Sequence, residues 1–411
     1  MTRKFIGGLP ATKTSLLRAA PGISKTNIPK SAVLIATAVL LLSCGGGGSV
    51  ASGTPGTPGT PGTGAWAAGN PDGTCGSGIP SDGQPVNTST PTTVVGTGTP
   101  ASCTYAQLNS AIAKGGIITF NCGASPVTIP VTATLNIPTD KDTVIDGGQK
   151  VTLDGQSQFR IMNFSSANFQ DNEHRLPLQH IALINGKATP TVKIPPAPAP
   201  CSQGWNDGEG GALFMEDGNL TVIDSIFTGN QAAPLGPDTG GGAIYVLASK
   251  HGAVIVGSTF NKNAASNAGA VGGLFTDLRI YNSLFSQNTA VGNGANNNDS
   301  KQCSAINNGQ NEIGSGGNGG AIYSDGNSVN VMLCGDKIVD NSAGVNAYGG
   351  GLFFTSNNMQ GTLSIIDTVM SGNTGGHWTV VATGSTTNAG SAVGTNCKSL
   401  TILNSTLQGL P

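Results

Sequence analysis

From residue 210 onward the chain repeats one short arrangement of apolar and polar positions. Two glycines open it, an apolar run follows, and two further short apolar runs lead to an asparagine. The first copy is "GGALFMEDGNLTVIDSIFTGN" at 210–230, and related openings recur from 241, 272, 319 and 350. With Leu220, Ala253, Leu278, Val331, Leu363 and Leu400 set as position zero, position seven holds Phe227, Phe260, Phe285, Ile338, Met370 and Leu407. Position ten holds Asn230, Asn263, Asn288, Asn341 and Asn373. The copies start 33, 25, 53, 32 and 37 residues apart, and the longest interval contains the polar stretch 291–317. A period of this size without a 3.6-residue helical pattern predicts a solenoid of short parallel strands, one coil per repeat. Coils stacked about 4.8 Å apart would align the position-seven side chains into an internal apolar stack and the asparagines into a ladder of amides.

Position four carries Asp224, Gly257, Asn282, Gly335, Asp367 and Asn404, the residue types that enter the left-handed backbone region at least cost. This column is expected to specify a turn, so Asp224 and Asp367 are turn residues before they are anything else.

Ahead of the repeats, "CTYAQLNSAIAKGG" (103–116) changes period. Thr104 and Gln107 form a capping box, Leu108, Ile112 and Ala113 share a face, and Gly115 can stop the helix. Short strands are expected next at 117–122, 127–129, 135–137, 143–145, 151–153 and 161–164.

Composition supports a thin, regular core. The 411 residues include 63 glycines, with 10% charged and 5% aromatic residues, so aliphatic side chains must build the interior. The formal charge of −2 conceals an asymmetry. Residues 1–43 carry six basic residues and no acid, which leaves the remainder at −8. A net-negative chain without a basic run is not expected to bind nucleic acid.

The basic start and the apolar run Ala32 to Leu42 read as an export signal too short to span a bilayer. "LLSC" resembles a bacterial lipobox, which implies that Cys44 carries a lipid and that the membrane is reached through this anchor alone. Residues 44–74 are rich in Gly, Thr and Pro and read as a tether. The expected organisation is a signal at 1–43, a tether at 44–74, a cap region at 75–126 and a parallel β-helix at 127–411. Insertions interrupt that helix at about 187–209 and 291–317.

"CTYAQLNSAIAKGGIITFNCG", "TVIDGGQKVTLDG" and "LQHIALINGKA", followed by the repeats of "GGALF" and "GGAIY", resemble the right-handed parallel β-helix proteins of the pectin-lyase-like superfamily. The resemblance covers roughly residues 100–411 and is greatest to bacterial surface proteins like the polymorphic outer-membrane proteins. It implies an all-β, right-handed parallel β-helix with a short N-terminal capping helix. It also implies a cell-surface or outer-membrane location, the alternative being periplasmic or secreted. Function does not follow from this scaffold, which carries enzymes and binding proteins alike.

Eight cysteines in an exported chain imply disulfides. Cys103 and Cys122 bracket the capping helix and are the expected pair. Cys201 and Cys303 lie in the two insertions and could meet on one side of the solenoid, while Cys334 falls in a strand and is expected to be simply buried. No Cys or His spacing suits a metal.

The enzymes of the resembled superfamily offer motifs that this chain lacks. "RLPLQH" at 175–180 has no second arginine, and His251 in "KHGA" stands alone as a turn residue. Two weaker constellations remain. Counting two residues past the aromatic of each repeat gives Glu216, Leu247, Asp277, Asp325 and Ser356, which would set Asp277 and Asp325 on adjacent rungs about 5 Å apart. Such an edge could hold calcium or act on a glycosidic bond. In the first insertion, Trp205 stands beside Asp207 and Glu209, a combination suited to stacking on a sugar. The sequence therefore reads as a lipid-anchored surface protein that binds polysaccharide or a host or neighbouring cell, with no cofactor required and calcium left open. The alternative is a polysaccharide lyase or glycoside hydrolase. Because the chain ends directly after a core strand, end-to-end self-association is also expected.

Overall fold

A computed structural model describes residues 66–407 apart from 167, 192–207, 235, 237–238, 293–315, 345–346, 376–380, 383–384 and 387–392. The strands wind into a parallel β-helix with three faces per coil. The first face stacks Leu135–Asn136, Met162–Ser165, Leu213–Glu216, Ile244–Leu247, Val271–Leu274, Ile322–Gly326, Leu352–Ser356 and Val393–Asn396. The second includes Asn219–Ile223, Ala253–Val256, Leu278–Tyr281, Asn330–Cys334, Thr362–Ile366 and Ser399–Leu403, and the third includes Ile226–Thr228, Thr259–Asn261, Leu284–Ser286, Lys337–Val339, Val369–Ser371 and Thr406–Leu407. Every pairing between coils is parallel. In the early coils, Thr143–Asp154 and Arg175–Ile184 run through the second and third faces as single long strands. Helix α1 (Tyr105–Lys114) lies at the N-terminal end. The Thr104 hydroxyl accepts a hydrogen bond from the Gln107 N–H, as the capping pattern predicts, and Gly115 ends the helix at φ 71°. The buried face is Leu108, Ala111 and Ile112 rather than Ala113, which is exposed.

The repeat columns align as the sequence predicts. Leu220, Ala253, Leu278, Val331, Leu363 and Leu400 pair in register along the second face. Inside, the Phe227, Phe260 and Phe285 rings stack at 4.9 and 4.7 Å, nearly parallel, because the strand spacing itself sets the ring spacing. The position-ten asparagines are fully or almost fully buried. Each Nδ2 donates to the next coil's Oδ1 at 2.9 Å, from Asn230 through Asn263, Asn288 and Asn341 to Asn373. That Oδ1 also accepts the preceding backbone N–H, so one side chain satisfies both amide and backbone at a corner where the ladder turns. A second column, Ser225, Ser258, Ser283, Asp336, Thr368 and Ser405, accepts the N–H of the coil before it in the same way.

Position four is left-handed throughout: Asp224, Gly257, Asn282, Gly335, Asp367 and Asn404 have φ between 42° and 74°. The paired glycines that open four of the repeats serve two purposes. Gly210, Gly241, Gly319 and Gly349 are left-handed at φ 60–69°. Their successors pack against the next coil so closely that a Cβ on Gly242 would lie 2.1 Å, and one on Gly320 2.0 Å, from a carbonyl oxygen.

Residues 66–88 form a strap lengthwise across the coils. Trp66 Nε1 donates to the Asp224 carbonyl and Gly69 N–H to Thr259 Oγ1. Asn70 donates to the carbonyls of Asn282 and Gly335, and the Gly76 N–H reaches the Asp367 carboxylate. The strap then reverses. Ile79 packs with Val254, Val256, Tyr281 and Met332 on the outside of the second face, Asp82 pairs with Arg279, and Val86 and Thr88 bond to Gln179 and Asp146. A disulfide, Cys75–Cys334, pins the bend. Two expectations are corrected here. Residues 66–74, assigned to the tether, belong to the packed unit, and Cys334 is cross-linked rather than simply buried. Both escape the repeat pattern because each strap contact is made once. Cys103 and Cys122 are joined as expected, and Cys397 is fully buried.

Candidate functional site

The first face sets the register of the proposed acidic edge, and that register differs from the sequence count. Glu216 lies opposite Leu247, then Leu274, Asp325 and Thr355. Asp277 is three residues out of column. The third repeat opens at Ala268–Gly269, which occupy the turn, whereas Gly272 and Gly273 lie within the strand Val271–Leu274. Gly272 is small for a different reason: a Cβ there would lie 2.5 Å from the Tyr245 ring. Counting from the wrong glycines shifted the aromatic to Phe275 and the acid to Asp277. The triple glycine at 349–351 produced a shift of one, from Thr355 to Ser356.

Each of these carboxylates is already engaged by a neighbour. Ser165 Oγ donates to Glu216 Oε2 at 2.5 Å, and Glu216 is only 6% exposed. Asp277 accepts the Asn330 backbone N–H at 2.7 Å and its side-chain amide at 3.2 Å. Asp325 accepts from the Tyr323 hydroxyl and the Asn357 amide, both at 2.9 Å. Burial raises its pKa against the lowering effect of those bonds. Each of the three acids bonds across to an adjacent coil.

The insertions share one corner. The Ala188 N–H donates to the Gln231 carbonyl where the first insertion leaves, and Ala233 bonds to the Gly208 carbonyl where it returns. The second leaves and returns through the Gly292 and Gly317 N–H groups, both on the Ser266 carbonyl, and Ser266 N–H in turn bonds to Ala233. Between the roots lies a groove of about 420 Å³ lined by Lys187, Thr189, Pro190, Gln231, Pro234 and Val291. It offers one cation, two hydrogen-bonding side chains and apolar walls. Trp205, Asp207, Cys201, Cys303 and Cys44, the expected lipid attachment point, lie outside the described residues. Glu209 is fully buried, and Arg160 donates to its backbone carbonyl at 2.6 Å, so it belongs to the interior and not to a sugar-facing surface.

A constellation absent from the sequence reading joins three coils. His180 Nδ1 contacts Asp146 Oδ1 at 3.1 Å and its Nε2 lies 3.7 Å from Asp224 Oδ2. Burial raises the Asp146 pKa but is outweighed by hydrogen bonds from His180, Thr88, Gln179 and the Gly148 N–H, which hold it well below the usual carboxylate range. The hydrogen bond to Asp146 raises His180 against the opposing effect of burial, and burial raises Asp224. The geometry suits an ion-paired brace, with Thr88 and Gln179 fastening the returning strap to it. Extending the repeat alignment one coil back, with Leu176 at position zero, places His180 in the left-handed column at φ 53°. His251 is likewise paired, with Nε2 on Glu173 at 2.7 Å, and Lys250 bonds to the other Glu173 oxygen.

Among the described residues no three His, Cys, Asp or Glu side chains gather closely enough to hold a metal ion. No family model, curated protein or solved structure matches this chain.

Proposed function

We propose that this chain is an exported surface protein of the pectin-lyase-like β-helix type, held at the outer membrane through a lipid on Cys44, that binds polysaccharide or the surface of another cell. The corner that carries both insertions is its binding face. The observation that supports this reading is the shared root of the two insertions around a groove whose volume lies in the range typical of small-ligand sites. Prolines and valine there offer apolar packing to a sugar ring, and Lys187, Gln231 and Thr189 offer hydrogen bonds. A depolymerising enzyme needs an acid and a base converging on one bond, whereas Glu216, Asp277 and Asp325 are each committed to separate neighbours.

The test is to incubate the purified protein with uronate and neutral polysaccharides, with and without calcium, following retention, chain length and unsaturated products. Binding without a change in chain length, weakened by Lys187→Ala and Gln231→Ala, is the expected result. Cleavage of any polymer would overturn the binding reading in favour of an enzyme.

A further inference from the structure

The strap enters the fold at Trp66, against the coil of Asp224, and advances over successive coils to Gly76 at the coil of Asp367. Only then does the chain turn back, run beneath Arg279 and Gln179, and begin the cap and the first coil. The covalent link at Cys75–Cys334 therefore short-circuits the chain. It closes a loop with a sequence separation of 259 residues. That loop contains the capping helix, the early coils and the roots of both insertions at Ala188, Gly208, Gly292 and Gly317.

We infer that the strap is a mechanical clamp that keeps the insertion-bearing coils folded when the chain is pulled from its N-terminal side. Force arriving at Trp66 first loads the hydrogen bonds of residues 66–76 to the left-handed corner. It then passes through the Cys75 and Cys334 sulfurs into the strand Asn330–Cys334 and onward to the C-terminal coils. Once those hydrogen bonds part, the residues between the two cysteines are not drawn out, because a covalent bond in parallel with a folded segment does not lengthen. Without the bond, the same force must travel through the returning strap, the cap and each coil in turn. A parallel β-helix is poorly suited to that load, since each coil contacts only its neighbours and can be peeled off from an end. The apolar contacts of Ile79, the Asp82–Arg279 pair and the hydrogen bonds of Val86 and Thr88 would be the remaining hold on the returning strap.

The clamp does not depend on what the protein binds, so it is tested without a ligand. The oxidised full chain, held by handles at its two ends, is stretched in an optical trap, then measured again after reduction and as Cys75→Ser and Cys334→Ser variants. The oxidised chain is expected to lengthen only by the segments outside the loop. Reduction is expected to release a further ~90 nm, the extended length of the enclosed residues at ~3.5 Å each. Release of that length from the oxidised chain would overturn the inference. So would a reduced chain that holds the same residues folded to the same force, since the non-covalent strap would then suffice. Reduction of the already folded wild type keeps the test valid should either serine variant fail to fold.

Discussion

The coils and the strap hold the same molecule together by opposite means. In the coils a residue is stabilised by copies of itself: Asn288 bonds to Asn263 on one side and Asn341 on the other, and Phe260 stacks between two phenylalanines. In the strap no contact recurs. A tryptophan meets a carbonyl, an asparagine meets two turns, a cysteine meets a strand and an aspartate meets an arginine. Repetition makes the first region cooperative along its axis, while the second gains its hold from one covalent bond and several independent weak ones.

This contrast explains what could be read in the sequence. Identical neighbours at a fixed rise leave a periodic trace, so the position-zero, position-seven and position-ten columns and the left-handed corner are legible without coordinates. The strap leaves no trace because its partners lie 58 to 291 residues away, as with Thr88 and Asp146 or Gly76 and Asp367. The acidic edge failed for a third reason. Glycine marks both a turn and a crowded strand, and Gly272 is of the second kind although its pairing with Gly273 looks like the first.

The sharpest way to test the cooperative half is to remove one rung. Asn288→Ala deletes an amide that donates to the Phe260 carbonyl and Asn341 Oδ1 and accepts from Asn263 through both its backbone and its side chain. With several buried groups orphaned at about 1–3 kcal/mol each, a loss of about 3–5 kcal/mol is expected in chemical denaturation. A loss below about 1 kcal/mol would mean that the ladder is not a structural unit.

Asp336 is the position at which the hydroxyl column departs from its own rule. It is the lone carboxylate among serines and a threonine, fully buried, accepting the Ser283 and Cys334 N–H groups. Burial pushes its pKa up to about 8, against the lowering effect of those two bonds. A raised folded pKa means that the folded state binds a proton the unfolded state has released. The contribution is therefore fully present below about pH 4 and lost as pH rises through about 8. Asp336→Ser should be more stable than wild type at pH 8, with the advantage shrinking steadily toward pH 4. Thermal melts of both proteins across that range would show it. A constant difference between them would mean that folding leaves the pKa of this carboxyl unshifted.

The smallest effect belongs to the strap. Asp82 and Arg279 are exposed enough, at 51% and 31% of their side chains, for Asp82→Asn to cost less than about 1 kcal/mol. Its value lies in where that loss is felt. With Cys75–Cys334 intact the bend cannot leave the coils, so hydrogen exchange at the Gly76 and Val86 amides should hardly change. After reduction the Asp82 pair is one of the few remaining ties, and the same substitution should speed exchange at both amides by about two- to fivefold. Equal acceleration in the oxidised and reduced proteins would mean that the strap opens locally around Asp82 whether or not its bend is fixed. The independence ascribed to its contacts would then extend to the disulfide itself.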